Sequence, residues 1–167
     1  MTLALAAGIG CKRREGISVA HTDEDSATLA SMVHMADPRA KTQLLSGFHD
    51  VEHNAWRWTA KSFSVALRPP AGAREKGARL QFKFAVPDPV IERLNAVSLT
   101  ATAGGRGLSP ETYTQSGEFT YTRDVPAEVL SGEAVNVEFT LDKAIPAGVF
   151  DGRELGVIAS SIALDTK

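Results

Sequence analysis

The sequence predicts an all-β fold, an antiparallel β-sandwich with one or two short helical turns. Three observations carry this. Apolar residues recur at every second position in run after run, the period of a strand with one face buried and one wet. Clusters of proline and glycine break the runs roughly every 10–20 residues. No long segment of helical period lies between them, which disfavours a sheet built from strand–helix–strand units.

Residues 1–41 read as an N-terminal arm and residues 42–167 as the sandwich domain. Met1–Gly10 (MTLALAAGIG) is apolar, rich in small residues, and runs directly into Cys11. That is the pattern of a bacterial lipoprotein signal, in which the cysteine becomes the lipidated first residue. Against it, no basic residues precede the run, and Gly8 stands where a branched apolar residue is usual. Cys11 is therefore the candidate lipidation site, and the cell envelope or secretion the expected location. The cytoplasm, with an ordinary terminus, is the alternative. Further on, Thr22–Ser26 reads as the cap of a short helix over Ala27–Met35, which Asp37-Pro38 would end.

After Lys41 the period becomes two. One or two strands fall within Gln43–Thr59, followed by a run through Phe63, Val65 and Leu67 that Arg68-Pro69-Pro70 breaks. Leu80, Phe82, Phe84 and Val86 alternate next, then Val97, Leu99 and Ala101, ending at a Gly104-Gly105 turn that needs positive φ. Phe119, Tyr121 and Arg123 share a face, and the Arg123-Asp124 pair reads as a solvated strand end. Val135, Val137, Phe139 and Leu141 give the cleanest alternation. Glu154–Leu164 is apolar or small on both faces, as a central strand requires. Helical turns are expected at Pro89–Leu94 and Pro126–Leu130, each opened by a proline.

A length of 167 residues suits one domain with a real core, and 43% hydrophobic with 23% charged residues are globular values. The net charge of −2 lacks the basic surplus that binds a phosphate backbone, so no nucleic-acid partner is expected. A single cysteine excludes an intrachain disulfide. No stretch reaches the roughly 18 apolar residues of a transmembrane helix.

Chemistry concentrates in Gly47–Thr59, which holds both tryptophans and two of the four histidines. His49 and His53 do not follow the His-Glu-x-x-His order, and on a strand they lie about 13 Å apart, too far to chelate alone. No metal ligand set and no cofactor is expected. No nucleophile elbow, phosphate loop or dinucleotide glycine pattern occurs, so no catalytic residue is assigned. Trp56-Arg57-Trp58 has two readings: an aromatic platform for sugar C–H faces with polar neighbours for hydroxyls, or core filling by one of the indoles. Asp151-Gly152-Arg153-Glu154 likewise either lines a cleft or clamps a strand edge.

Taken together, Gly47-Phe48-His49, Glu52, Trp56-Arg57-Trp58-Thr59 and Asp151–Gly156 resemble a bacterial jelly-roll module of galactose-binding-like type, found in glycan-associated or envelope proteins. The resemblance spans Leu44–Leu164. It departs at His49, where a second aromatic is usual, and at Ala103-Gly104-Gly105, where a Val-Asn-Gly turn is. It implies a ligand site of Glu52, Trp56, Arg57, Arg153 and Glu154. The expectation is a non-catalytic module that binds a glycan or envelope polysaccharide. A structural or protein-interaction domain of an envelope lipoprotein is the alternative, and an unrecognised hydrolase the third reading.

Overall fold

A computed structural model describes residues 28–167; Cys11 and the Met1–Gly10 pattern lie outside them. Its strands are β1 (Met32–His34), β2 (Leu44–Glu52), β3 (Trp56–Leu67), β4 (Ala78–Val86), β5 (Val97–Ala103), β6 (Arg106–Tyr113), β7 (Gly117–Val125), β8 (Val135–Leu141) and β9 (Ile158–Thr166). Helix α1 (Ala73–Lys76) precedes β4, and α2 (Asp88–Leu94) follows it.

Every named strand pairing is antiparallel. The strand order β6-β5-β8-β3-β9-β4-β7 folds on itself at β3. One edge of β3 is taken by β2 from Leu44↔Val65 to Glu52↔Trp56. The other edge is shared: Arg57 and Trp58 pair with β9, whereas Ser62–Leu67 pair with β8. From that strand the chain diverges into two layers, β3-β8-β5-β6 and β3-β9-β4-β7. Successive connections from β6 to β9 pass between layers, which is jelly-roll topology. The expected antiparallel sandwich is the fold.

Alternation explains the packing. In β8, Val135, Val137, Phe139 and Leu141 are buried while Asn136, Glu138 and Thr140 face water. Leu80, Phe82, Phe84 and Val86 do the same from the opposite layer. Phe63, Phe82 and Phe139 meet at the centre with ring centroids 4.9–5.5 Å apart. β9 has β4 on one side and β1 and β3 on the other, the central place its apolar faces anticipate. The Gly104-Gly105 turn has φ of 54° and 80°, as a tight hairpin requires. The proline-led turns are α2 and a 3₁₀ turn at Ala127–Val129.

Two local expectations are corrected, and one strand is added. Where a helix was expected over Ala27–Met35, Met32–His34 is a strand paired with β9. Val33 and Met35 are both buried, a spacing that suits a strand, and β9 offers an open edge. The buried amide of Gln43 then ties the incoming backbone: Oε1 accepts from Ala30 N–H, and Nε2 donates to the carbonyls of Ala30 and Ala66. The added strand is β6, whose sequence is polar and carries Pro110, which an edge strand tolerates. Arg123 is no solvated strand end. Its guanidinium lies 4.2 Å from the Tyr121 ring centroid. It also donates to the Ser109 and Pro110 carbonyls and to Glu111, strapping β7 to β6 where the sandwich would otherwise gape. Asp124 beside it does face water, within reach of Arg79 and Lys167.

Candidate functional site

The predicted residues gather at one end of the sandwich, where the β2–β3 turn meets the β8–β9 connection. The turn is tight because His53 and Asn54 both adopt left-handed backbone, at φ 52°; asparagine and histidine are enriched in that region. The β8–β9 connection is a closed loop: Ile145 and Leu155 exchange both backbone hydrogen bonds, at 2.8 and 2.9 Å. Within it, Gly148 N–H donates to the Asp151 carbonyl and Val149 N–H to that of Pro146.

Arg153 fastens the loop to the turn. Its Nη2 donates to Asp151 Oδ2 and its Nη1 to Glu52 Oε1, both at 2.7 Å. Asp151 Oδ1 also accepts from Arg153 N–H at 2.8 Å. These hydrogen bonds hold the Asp151 carboxyl below the usual carboxylate range. In return, bonding first to Asp151 and then to Glu52 pushes the Arg153 guanidinium up. The Arg153 and Glu52 side chains remain 34% and 32% exposed, so water screens the pair. A double-mutant cycle of Arg153→Gln and Glu52→Gln is expected to give a coupling of roughly 0.5–1 kcal/mol by urea denaturation. Zero coupling would mean that the clamp adds nothing to the fold.

The other predicted residues are engaged with the main chain. Arg57 Nε donates to the Met35 carbonyl at 3.0 Å and Nη1 to that of His49 at 2.9 Å. Glu154 Oε1 accepts from Lys61 N–H at 2.7 Å, and His49 Nε2 donates to the Glu154 carbonyl at 2.7 Å. Buried Thr59 completes the seam, its Oγ1 accepting from Val157 N–H. Glu52 and Arg153 therefore meet, whereas Arg57 and Glu154 fix backbone on either side of them.

The two tryptophans part company. Trp58 packs against the core, as expected of one indole. Trp56 stands outside the core cluster and is half-buried, with the His53 ring 4.8 Å away, centroid to centroid. Its Nε1 is buried and has no hydrogen-bond partner among the described residues. The histidines do not converge either, since His49 turns to Glu154 and His53 to Trp56. No group of three His, Cys, Asp or Glu side chains able to hold a metal occurs among the described residues.

The same end carries a pair that was not predicted. Phe150 is 49% exposed at the loop tip, and the Arg93 guanidinium of α2 lies 5.4 Å from its ring centroid. A lone phenylalanine in a glycine-rich loop gives no periodic signal, and nothing in the sequence pairs it with Arg93. Two clefts lie elsewhere. A cleft of about 920 Å³ opens among Leu29, Arg68, Pro70, Arg74 and Glu133. Another, of about 510 Å³, lies among Met32, His34, Asp37 and Gln43. None of the predicted residues lines either.

Fold and site thus define a jelly-roll β-sandwich whose apical loop is clamped to a hairpin turn carrying a tryptophan. No protein-family model matches the chain, and no curated protein matches it. Among solved structures it is similar to the CBM36-1 domain of a multidomain xylanase from the hindgut metagenome of Trinervitermes trinervoides. The identity is 9% and the TM-score 0.44, over 81% of this chain and 96% of that one. A second similar structure is one of CBM4, at 13% identity and TM-score 0.31, over 80% and 81% of the two chains.

Proposed function

We propose that this chain is a non-catalytic carbohydrate-binding module, taking a glycan at the loop end that holds Trp56, Glu52 and Arg153. The observation that carries the reading is Trp56. A buried donor left without a partner costs on the order of 1–3 kcal/mol. Phenylalanine would fill the same place without that cost, so retention of the larger indole supports a use for its ring. Beside it, the half-exposed Glu52–Arg153 pair presents acceptor and donor atoms of the kind that sugar hydroxyls engage. Placement in a bacterial cell envelope belongs to the same proposal and rests on the Met1–Cys11 pattern.

A glycan array tests this directly. The expected result is that the protein binds a subset of glycans and that Trp56→Ala abolishes the signal while thermal unfolding stays cooperative. Failure to bind any glycan would sink the proposal. A second reading, a structural or protein-interaction domain without a sugar site, is favoured by how the charges are satisfied. Glu52 and Arg153 pair with each other, and Arg57 donates to two carbonyls. In that case Trp56→Ala and Arg153→Gln change stability alone.

A further inference from the structure

We infer that Phe150 is a sugar-stacking platform at this end of the sandwich, with Arg93 supplying hydrogen-bond donors at its rim. The inference rests on the carbohydrate reading and deepens it by naming a contact surface. Of the seven phenylalanines, six belong to the core or pack against it. Phe150 is the exception, and Val149 beside it is also 36% exposed. Folding does not explain these side chains, because burial would stabilise them and the loop leaves them in water.

The ring is nevertheless held. The guanidinium of Arg93 lies against it, in a cation–π contact with the ring. The backbone beneath is fixed twice, by the Gly148–Asp151 and Val149–Pro146 hydrogen bonds and by the Ile145–Leu155 exchange. Three residues on, Arg153 ties the loop to Glu52 across the β2–β3 turn. A ring mounted in this way loses little freedom when a ligand arrives, which favours affinity. The clamp therefore acquires a purpose: it holds the platform.

The chemistry selects the ligand. A pyranose offers an apolar C–H face edged with hydroxyls, and an aromatic ring with polar groups at its rim complements both. The Arg93 guanidinium forms no hydrogen bond or ion pair with another described residue, so its N–H groups stand ready for hydroxyl oxygens. Glu92 precedes it and Asp151 follows Phe150, so the loop lacks the basic rim that would draw it to an anionic bilayer.

The test is calorimetric titration of a glycan recovered from the array into the wild type, Phe150→Ala, Phe150→Trp and Arg93→Gln. Phe150→Ala is expected to weaken binding about tenfold, with a melting temperature lowered only slightly, because what the fold loses is a half-exposed ring and its Arg93 contact. Phe150→Trp is expected to retain it, and Arg93→Gln to weaken it less. If the wild type binds and Phe150→Ala binds equally, the platform is refuted while the carbohydrate reading stands. If the wild type binds no glycan, both fall. If Phe150→Ala instead loses sedimentation with phosphatidylglycerol vesicles and keeps its glycan, the loop is a lipid contact and the inference is overturned.

Discussion

Alanine at position 47 is expected to destabilise the sandwich by roughly 3 kcal/mol or more. Gly47 sits in β2 where the register against β3 shifts, with φ at +74°. Left-handed backbone alone costs a non-glycine residue about 1 kcal/mol or more. A Cβ there would also run into the Ser62 carbonyl oxygen and approach the Phe63 Cα and Cβ to 2.7 Å. Neither obstacle is the movable end of a side chain, so β2 would have to leave β3. Two other glycines separate the terms. Gly72 has φ +79° with nothing within 4 Å of a Cβ, so Gly72→Ala isolates the backbone cost. Gly156 has no such φ, but its Cβ would meet Leu141 and Thr59 at 2.6 Å, so Gly156→Ala isolates the collision. Urea unfolding should rank Gly47→Ala as the worst and Gly72→Ala as the mildest. A Gly47→Ala protein within 1 kcal/mol of wild type would show that β2 does not lie against β3 as described.

Much of the sandwich is legible in the sequence because a half-buried strand writes its orientation as alternation. β5 and β8 place every apolar residue inward, and β4 all but the small Ala85. The elements that escape are those whose stability is not their own. Met32–His34 is a strand because β9 has an edge to offer and the Gln43 amide secures Ala30, facts that lie about 130 and 13 residues away in the chain. β6 keeps little alternation because one face of an edge strand meets water almost entirely, and β7 of the other layer reaches it through the Tyr121 hydroxyl and Arg123 rather than through a ladder. The site was legible in part for the same reason. Composition singled out Gly47–Thr59 and Asp151–Glu154, and Glu52 and Arg153 do meet. Which charges face each other and which hold carbonyls depends on β3 changing partners midway, from β9 to β8. No local pattern records that change. Phe150 was invisible for the opposite reason: its meaning lies in being outside the core, and exposure is not written in sequence.

The change of partners at β3 also makes the aromatic centre decisive, and Phe139→Ala is expected to cost about 3–5 kcal/mol. Phe139 is fully buried and stacks on Phe63, its cross-strand partner, at 5.0 Å and 14°. It also touches Phe82 of the opposite layer at 4.9 Å. On its other flank the register partner is Ala101, too small to move into the space. Phe82 is paired on both sides, with Tyr121 and Ile162, and Phe63 is pressed on its other flank by the close approach of Gly47, so the cavity would not collapse and the full penalty should appear. Phe139→Leu, which keeps most of the volume, should cost less than half as much. Phe119→Ala is the control, since that ring only packs against the core from a half-buried position, and it should fall well below both. The urea midpoint should drop in that order with the slope m unchanged, because surface exposed on unfolding is the same for all. A reduced m for Phe139→Ala would mean that the two layers unfold separately, and that the aromatic contact across them is not what makes the sandwich one cooperative unit.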